Sequence, residues 1–380
     1  MVEAASLQQI SSALGAGKAG AGPARLAPAA SARLQHLPVA GLCLLLACLF
    51  GFGPLEGPQQ KLPFFSFARP ESVPAITEPG FVPAAKAENF LKPEEPVLGV
   101  VLGGEARAYS LWQLERHLVV NDRFGSRAVA VTWCPFSQTA VVYARRVGER
   151  DLTLESDGRL LHDALLLRDR ETGTVWAQAT GQALEGPLLG SSPLQPLPAL
   201  QTTWKVWKQE QPETLALEKA GADRQLLSSS YAAYYADPAR FGLGHTELKE
   251  PRMGGKALVV GITSGSDRLA IPLERLKRDW VVNAVVDRQA VAALYDSATE
   301  TVRVVRREAR GRTISLHRGH GDLFGRPTPP HLVDQETASS WDFTGRAVSG
   351  RFQGHQLPLF PYRQQFWYAW QAYFPCSRVE

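Results

Sequence analysis

VLGVVLGGEARAYSLWQLERHLVVN at residues 97–121 and VVGITSGSDRLAIPLERLKRDWVVN at residues 259–283 lie one on the other without a gap. Ten of the 25 positions are identical: Val97, Gly99, Gly103, Ala108, Leu111, Leu114, Arg116, Val119, Val120 and Asn121 each meet their own kind 162 residues later. The same offset carries AVAVTWCPFSQTAVVYAR (128–145) onto AVAALYDSATETVRVVRR (290–307). Further on, ETGTVW (171–176) falls on ETASSW (336–341), and Trp204 and Trp207 fall on Trp367 and Trp370. Self-similarity at a fixed offset is the signature of duplicated structural units. The expected organisation is a first unit at 97–217, a linker at 218–256 and a second unit at 257–380.

Each unit reads in the same order. An apolar strand turns at Gly103-Gly104 or Gly265-Ser266 into a second strand. A short amphipathic helix follows, with Leu111 and Leu114, or Leu273 and Leu276, on one face. Three or four strands rich in Val, Ala and Tyr come next. The unit ends in a helix bearing two tryptophans, Thr203 to Glu210 or Gln365 to Tyr373, stopped by Pro212 or Pro375. The fold class is therefore α+β with β dominant: two tandem, pseudo-symmetric mixed units, without the alternation of strands and long helices that marks a doubly wound sheet.

Ahead of the first unit, residues 54–96 read as an extended lead-in. Residues 37–52, LPVAGLCLLLACLFGF, carry no charge and follow an Ala/Gly-rich arm (1–36) that reads as disordered. Two readings fit this run. One is a signal anchor over 37–53 with the positive arm inside. The other is a lipoprotein-type signal, in which Leu45-Leu46-Ala47-Cys48 would make Cys48 the lipidated residue. Either expectation places the folded part outside the cytoplasm, single-pass or lipid-anchored, with the membrane as a partner.

Charge excludes one class of partner. The formal charge is +4 over 380 residues, and two units of it belong to the first 55, where Lys18, Arg25 and Arg33 face Glu3. That is no electrostatic footprint for nucleic acid. No phosphate loop, H-E-x-x-H helix, G-x-S-x-G elbow or paired C-x-x-C spacing is present, so the motifs name no reaction and leave open whether the chain is an enzyme. Spacing also leaves open whether Cys134 and Cys376 pair.

Where the units differ, chemistry has room. Cys134 faces Asp296, His117 faces Asp279 and Asp122 faces Ala284 in the alignment. Cys134-Pro135 at a strand end suggests an exposed sulfur with nearby N–H groups to stabilise a thiolate. His117, Asp122 and Ser137 are its candidate partners, and Cys134 with His117 is the candidate pair for a soft transition metal. Against this stands a buried, inert cysteine. His162 with Asp163 is a further, weaker pair. The tryptophans read as core because both units hold them. Tyr231, Tyr234 and Tyr235 in the linker read as packing across the units, with a ligand cleft as the alternative.

The runs VPAITEPGFVPAAKAENFLKPEEPVLGVVLGGEARAYSLWQLERHLVVND, VAVTWCPFSQTAVVY and DRETGTVWAQATGQALEGPLLG resemble the bacterial and archaeal family catalogued as domain of unknown function 3179. The resemblance runs from about Ser72 through the second unit. It implies a secreted or membrane-anchored protein and brings no activity with it. It also implies that the segment at Cys134-Pro135-Phe136-Ser137 ordinarily reads Cys-Pro-Leu-Cys. Ser137 stands in place of the second cysteine, so a dithiol–disulfide cycle within this turn is not available to this chain. Two functions are therefore expected in competition: a thiol or soft-metal site around Cys134, or a non-catalytic ligand- or partner-binding module of the cell envelope.

Overall fold

Gly103 and Gly104 both adopt positive φ (60° and 84°) between the strands Pro96–Leu102 and Glu105–Ser110, whose last pair is Leu102 with Glu105. A two-residue loop with both residues left-handed matches the right-handed twist of its strands, which is why glycine serves there. The computed structural model describes residues 62–69, 72–243, 252–319 and 330–380. The expected arm (1–36) and apolar segment (37–53) lie outside the described residues. Contacts gather Phe64–Glu380 into one compact unit.

Within it, the hairpin runs straight into the helix Leu111–His117, where the Ser110 hydroxyl accepts the Gln113 N–H at 3.2 Å as an N-cap. Leu111 and Leu114 are buried, as their spacing predicts. The helix stops at Leu118 in the left-handed region (φ 59°). The chain then makes an antiparallel meander, Val119–Phe124, Arg127–Cys134 and Thr139–Ala144. The later half follows the same order. Leu258–Ser264 pairs with Asp267–Pro272, the helix Leu273–Asp279 ends at Trp280 (φ 66°), and Val281–Val286, Gln289–Asp296 and Thr301–Arg306 form the meander. Strands dominate, and nearly every pairing is antiparallel. Parallel contacts between strands occur where Leu215–Leu217 meets Glu105–Ser110 and where Arg378–Val379 meets Asp267–Pro272.

Matching side chains do matching work. Trp207 lies over Gly99 and Trp370 over Gly261, so close that a Cβ would stand 2.2 Å and 2.0 Å from ring carbons. The Asn121 carboxamide exchanges hydrogen bonds with Leu154 in both directions, and Asn283 does the same with Leu316. These asparagines extend a strand edge by side chain. Trp176 donates to Asp169 and Trp341 to Asp334, each at 2.9 Å. Trp176, Trp204, Trp207, Trp341, Trp367 and Trp370 are all buried, in keeping with a core role. The second tryptophan helix is shorter than expected, Trp367–Tyr373, because Gln365 and Phe366 close the strand Arg363–Phe366 that pairs with Leu258–Ser264.

The lead-in and the linker hold more structure than an extended reading allows. Phe81–Pro83 is a sheet edge and Ala84–Ala87 a helical turn. Residues 221–225 form a 3₁₀ turn, and Ala232–Ala236 forms a short helix. Lys219, fully buried, pairs with the equally buried Glu95, which also accepts from the Ser110 hydroxyl.

Candidate functional site

Cys134 ends its strand, paired with Thr139, and the turn through Pro135, Phe136, Ser137 and Gln138 joins it to the next. Of the two readings of the Cys-Pro turn, an exposed sulfur or a buried cysteine, the structure has the buried one: Cys134 is fully buried. The reason lies in what covers the turn. The Phe136 ring meets Tyr231 and Tyr234 of the linker edge-on, with centroids at 5.5 and 6.5 Å. Its carbonyl accepts hydroxyls from both Tyr234 and Tyr368 at 2.8 Å. The Ser137 carbonyl accepts the Phe366 N–H at 3.0 Å. Residues far along the chain thus close over this turn, and the linker tyrosines pack across the two halves as expected.

Burial pushes the Cys134 thiol up, and the Ser137 hydroxyl with backbone groups of Ser137, Leu165 and Phe136 pull it back only in part. Donors around the sulfur are present, as the turn suggested, but desolvation outweighs them. Cys134 and Cys376 are not bridged, and Cys376 is exposed.

The other candidates stand elsewhere. His117 closes its helix with Nδ1 2.9 Å from the Pro74 carbonyl and Nε2 2.9 Å from Asp223. Burial lowers its pKa, but the bonds to Asp223 and Pro74 outweigh burial and leave it raised. Asp122 accepts from Arg107, from the Tyr109 hydroxyl and from the Arg123 N–H. The Arg107 guanidinium itself lies 4.4 Å from the Phe81 and Phe124 rings. No hydrogen bond or ion pair joins any two of Cys134, His117 and Asp122. Among the described residues, no group of three or more His, Cys, Asp or Glu side chains could hold a metal ion. His162 and Asp163 form the left-handed tip (φ 51° and 56°) of the hairpin between Leu154–Leu161 and Ala164–Asp169. There Asp163 accepts the Leu243 N–H at 2.9 Å.

What the covering segments create is a cleft of about 390 Å³ beside the turn. Gln138 comes from the turn, Tyr235, Pro238 and Lys256 from the linker, Ala257 and Leu258 from the start of the second half and Phe366 from its strand Arg363–Phe366. Lys256 Nζ donates to the carbonyls of Tyr234 and, at 2.8 Å, Asp237, and sits 3.5 Å from the centroid of the Tyr234 ring. Burial pushes its pKa down to about 8, against Asp237 and with Arg240.

Residues 70–377 match the model of a family described as a protein of unknown function, DUF3179. The chain belongs to the DUF3179 family. No curated protein and no solved structure matches it. In this DUF3179 chain the turn that carries Cys134 is buried under the linker and the last helix. The cleft beside it is lined by Tyr235, for which the sequence offered a ligand cleft as the alternative, and by Gln138 and Lys256, which motif reading passed over. Gln138 and Lys256 had a signal of a kind, since the alignment sets them against Glu300 and Glu94.

Glu115 was missed as well, although it faces Lys277 in the alignment. It is buried under the linker, accepting from the Ser229 hydroxyl at 2.5 Å and the Ser230 N–H at 2.7 Å. Burial raises its pKa to about 7, and those bonds only partly oppose the rise. A raised carboxyl stabilises the fold while protonated, so its contribution falls as pH climbs from the unfolded value through about 7. His117, also raised, loses its contribution in the same direction above its ordinary pKa. Between pH 5 and 8 the DUF3179 fold should therefore lose about 2 kcal/mol through Glu115. Urea midpoints at the two pH values check this: Glu115→Gln should shrink the loss, and an unchanged pH dependence in that variant would refute it.

Proposed function

We propose that this DUF3179 protein is a non-catalytic, extracytoplasmic binding module, tethered to the membrane through residues 37–53. Two tandem units and their linker hold a small ligand where they meet. The observation that carries this reading is the cleft, whose wall is shared by the turn after Cys134, the linker helix and the strand Arg363–Phe366. Its volume falls within the range of small-molecule sites, and its mix of apolar wall and few polar groups suits one. The twin tryptophan-on-glycine contacts at Gly99 and Gly261 support the duplication. The uncharged run 37–52 behind a positive arm supports the tether. Among the described residues, no helix is long and apolar enough to cross a membrane.

A thiol or soft-metal site at Cys134 is the second reading, favoured by the donors gathered around the sulfur. It ranks lower because the thiol is buried with a raised pKa and both ring nitrogens of His117 are engaged. One experiment separates the two. A fragment screen by ligand-observed NMR runs on the full chain, on Cys134→Ala and on Ala257→Trp, whose indole would fill the cleft. The binding reading expects hits that survive Cys134→Ala and vanish in Ala257→Trp. The reverse pattern would transfer the site to the sulfur.

A further inference from the structure

Resting on that binding reading, we infer that the cleft takes a small organic carboxylate with an apolar body. The anion would sit on Lys256 and Gln138, and the body against Phe366, Leu258 and Pro238.

The argument is one of charge and unused donors. An ammonium carries three N–H donors in a flexible head. Lys256 gives hydrogen bonds to two carbonyls, those of Tyr234 and Asp237, and pairs with no carboxylate among the described residues. Beyond these two carbonyls and the face of the Tyr234 ring, no acceptor among the described residues takes its third N–H, and the side chain lines the cleft. The Gln138 carboxamide, which also lines the cleft, makes no hydrogen bond among the described residues, so its NH₂ is available. Gln138 is held in place by its backbone, at φ 53° in the left-handed region.

Among the described residues, none that lines the cleft is acidic. Among the described residues, the charged groups that act on Lys256 are Asp237, whose carboxylate already accepts the Ala239 N–H at 3.0 Å, and Arg240, which adds positive charge. Tyr234 and Tyr235 of the linker helix and Phe366 supply aromatic surface, with the Lys256 ammonium also 5.8 Å from the Phe366 centroid. A cation held between carbonyls and aromatic faces in a partly dry cleft gains most from an anion that brings its own negative charge. The apolar half of the wall then favours a carboxylate with a hydrocarbon body over a fully hydrated ion.

The chemistry predicts a pH window. Burial lowers the pKa of Lys256 to about 8, so the cation is present below that value and is lost as pH rises through it. Carboxylate affinity should hold at pH 7 and fall by pH 9.5.

The test is calorimetry on the full chain with 3-phenylpropionate, its uncharged counterpart 3-phenylpropanol, and inorganic phosphate. The carboxylate should bind about tenfold tighter than the alcohol, as expected for a hydrogen bond to a charged group. Lys256→Gln should erase most of that difference between acid and alcohol, and Lys256→Arg should keep most of it. Near-ultraviolet circular dichroism of both variants shows that each is folded. Equal affinity for acid and alcohol would overturn the carboxylate assignment and leave the cleft as a binding site. Tighter binding of phosphate would overturn it in favour of an inorganic anion. Binding of none of the three, or binding that survives Ala257→Trp, would overturn the binding reading together with it.

Discussion

Lys219→Met should lower the unfolding free energy by about 3–5 kcal/mol, the usual cost of leaving one half of a buried ion pair without its partner. Neither Lys219 nor Glu95 has any exposed surface, and no solvent can replace the lost ammonium. Glu95 also accepts from the Ser110 hydroxyl, the cap of the first helix, so the damage reaches the helix start. Nearby, the Lys219 carbonyl accepts from Arg224, which ties the linker into the same corner. The double variant Lys219→Met/Glu95→Leu removes both charges and should recover most of the loss, because a buried pair contributes little beyond an apolar packing of similar volume. Denaturant midpoints of the three proteins at constant m decide the matter. A single variant within about 1 kcal/mol of the parent, the scale of the measuring error, would show that water reaches Glu95.

Gly99→Ala and Gly261→Ala should each destabilise by about 3 kcal/mol, at the upper end of overpacking costs. The added methyl would meet the six-membered ring of Trp207 at 2.2 Å or of Trp370 at 2.0 Å, and neither ring has an easy retreat. Trp207 is pinned by its donation to Thr214 and Trp370 by its donation to Ser377, both at 2.8 Å. Gly103→Ala is the control. Its φ is +60° and an added methyl there would touch nothing, so only backbone strain of about 1 kcal/mol applies. Similar losses at 99 and 261, both well above that at 103, are the expected pattern in thermal or urea unfolding. A loss at either glycine no larger than at Gly103 would mean the tryptophan shifts freely.

Much of this fold could be read from residues alone, and the reason is local. The Gly-Gly hairpin, the Leu111–Leu114 stripe and the paired tryptophans each express a periodicity or a turn preference that acts over a few positions. The alignment of two stretches then doubled every signal. The site was harder because burial of Cys134 depends on Tyr234 and Tyr368, about one hundred and two hundred and thirty positions away. No spacing rule announces which distant segment will cover a turn. Donors near the sulfur were foreseeable from the Cys-Pro turn, and burial was the competing reading for a free cysteine, but nothing local decided between them. His117 shows the same limit: its place at the helix end was readable, but its partner Asp223 belongs to a 3₁₀ turn in what looked like a plain linker.

The Phe136 carbonyl, held by one hydroxyl from the linker and one from the last helix, also orders events during synthesis. When the ribosome has made the first half, that carbonyl and the cleft wall beside it have no cover. Tyr234 arrives next, and Tyr368 follows 134 residues later with Phe366 just before it. A product cut short before Phe366 lacks one wall of the cleft. The cleft therefore gains its last wall only once the strand Arg363–Phe366 has been made.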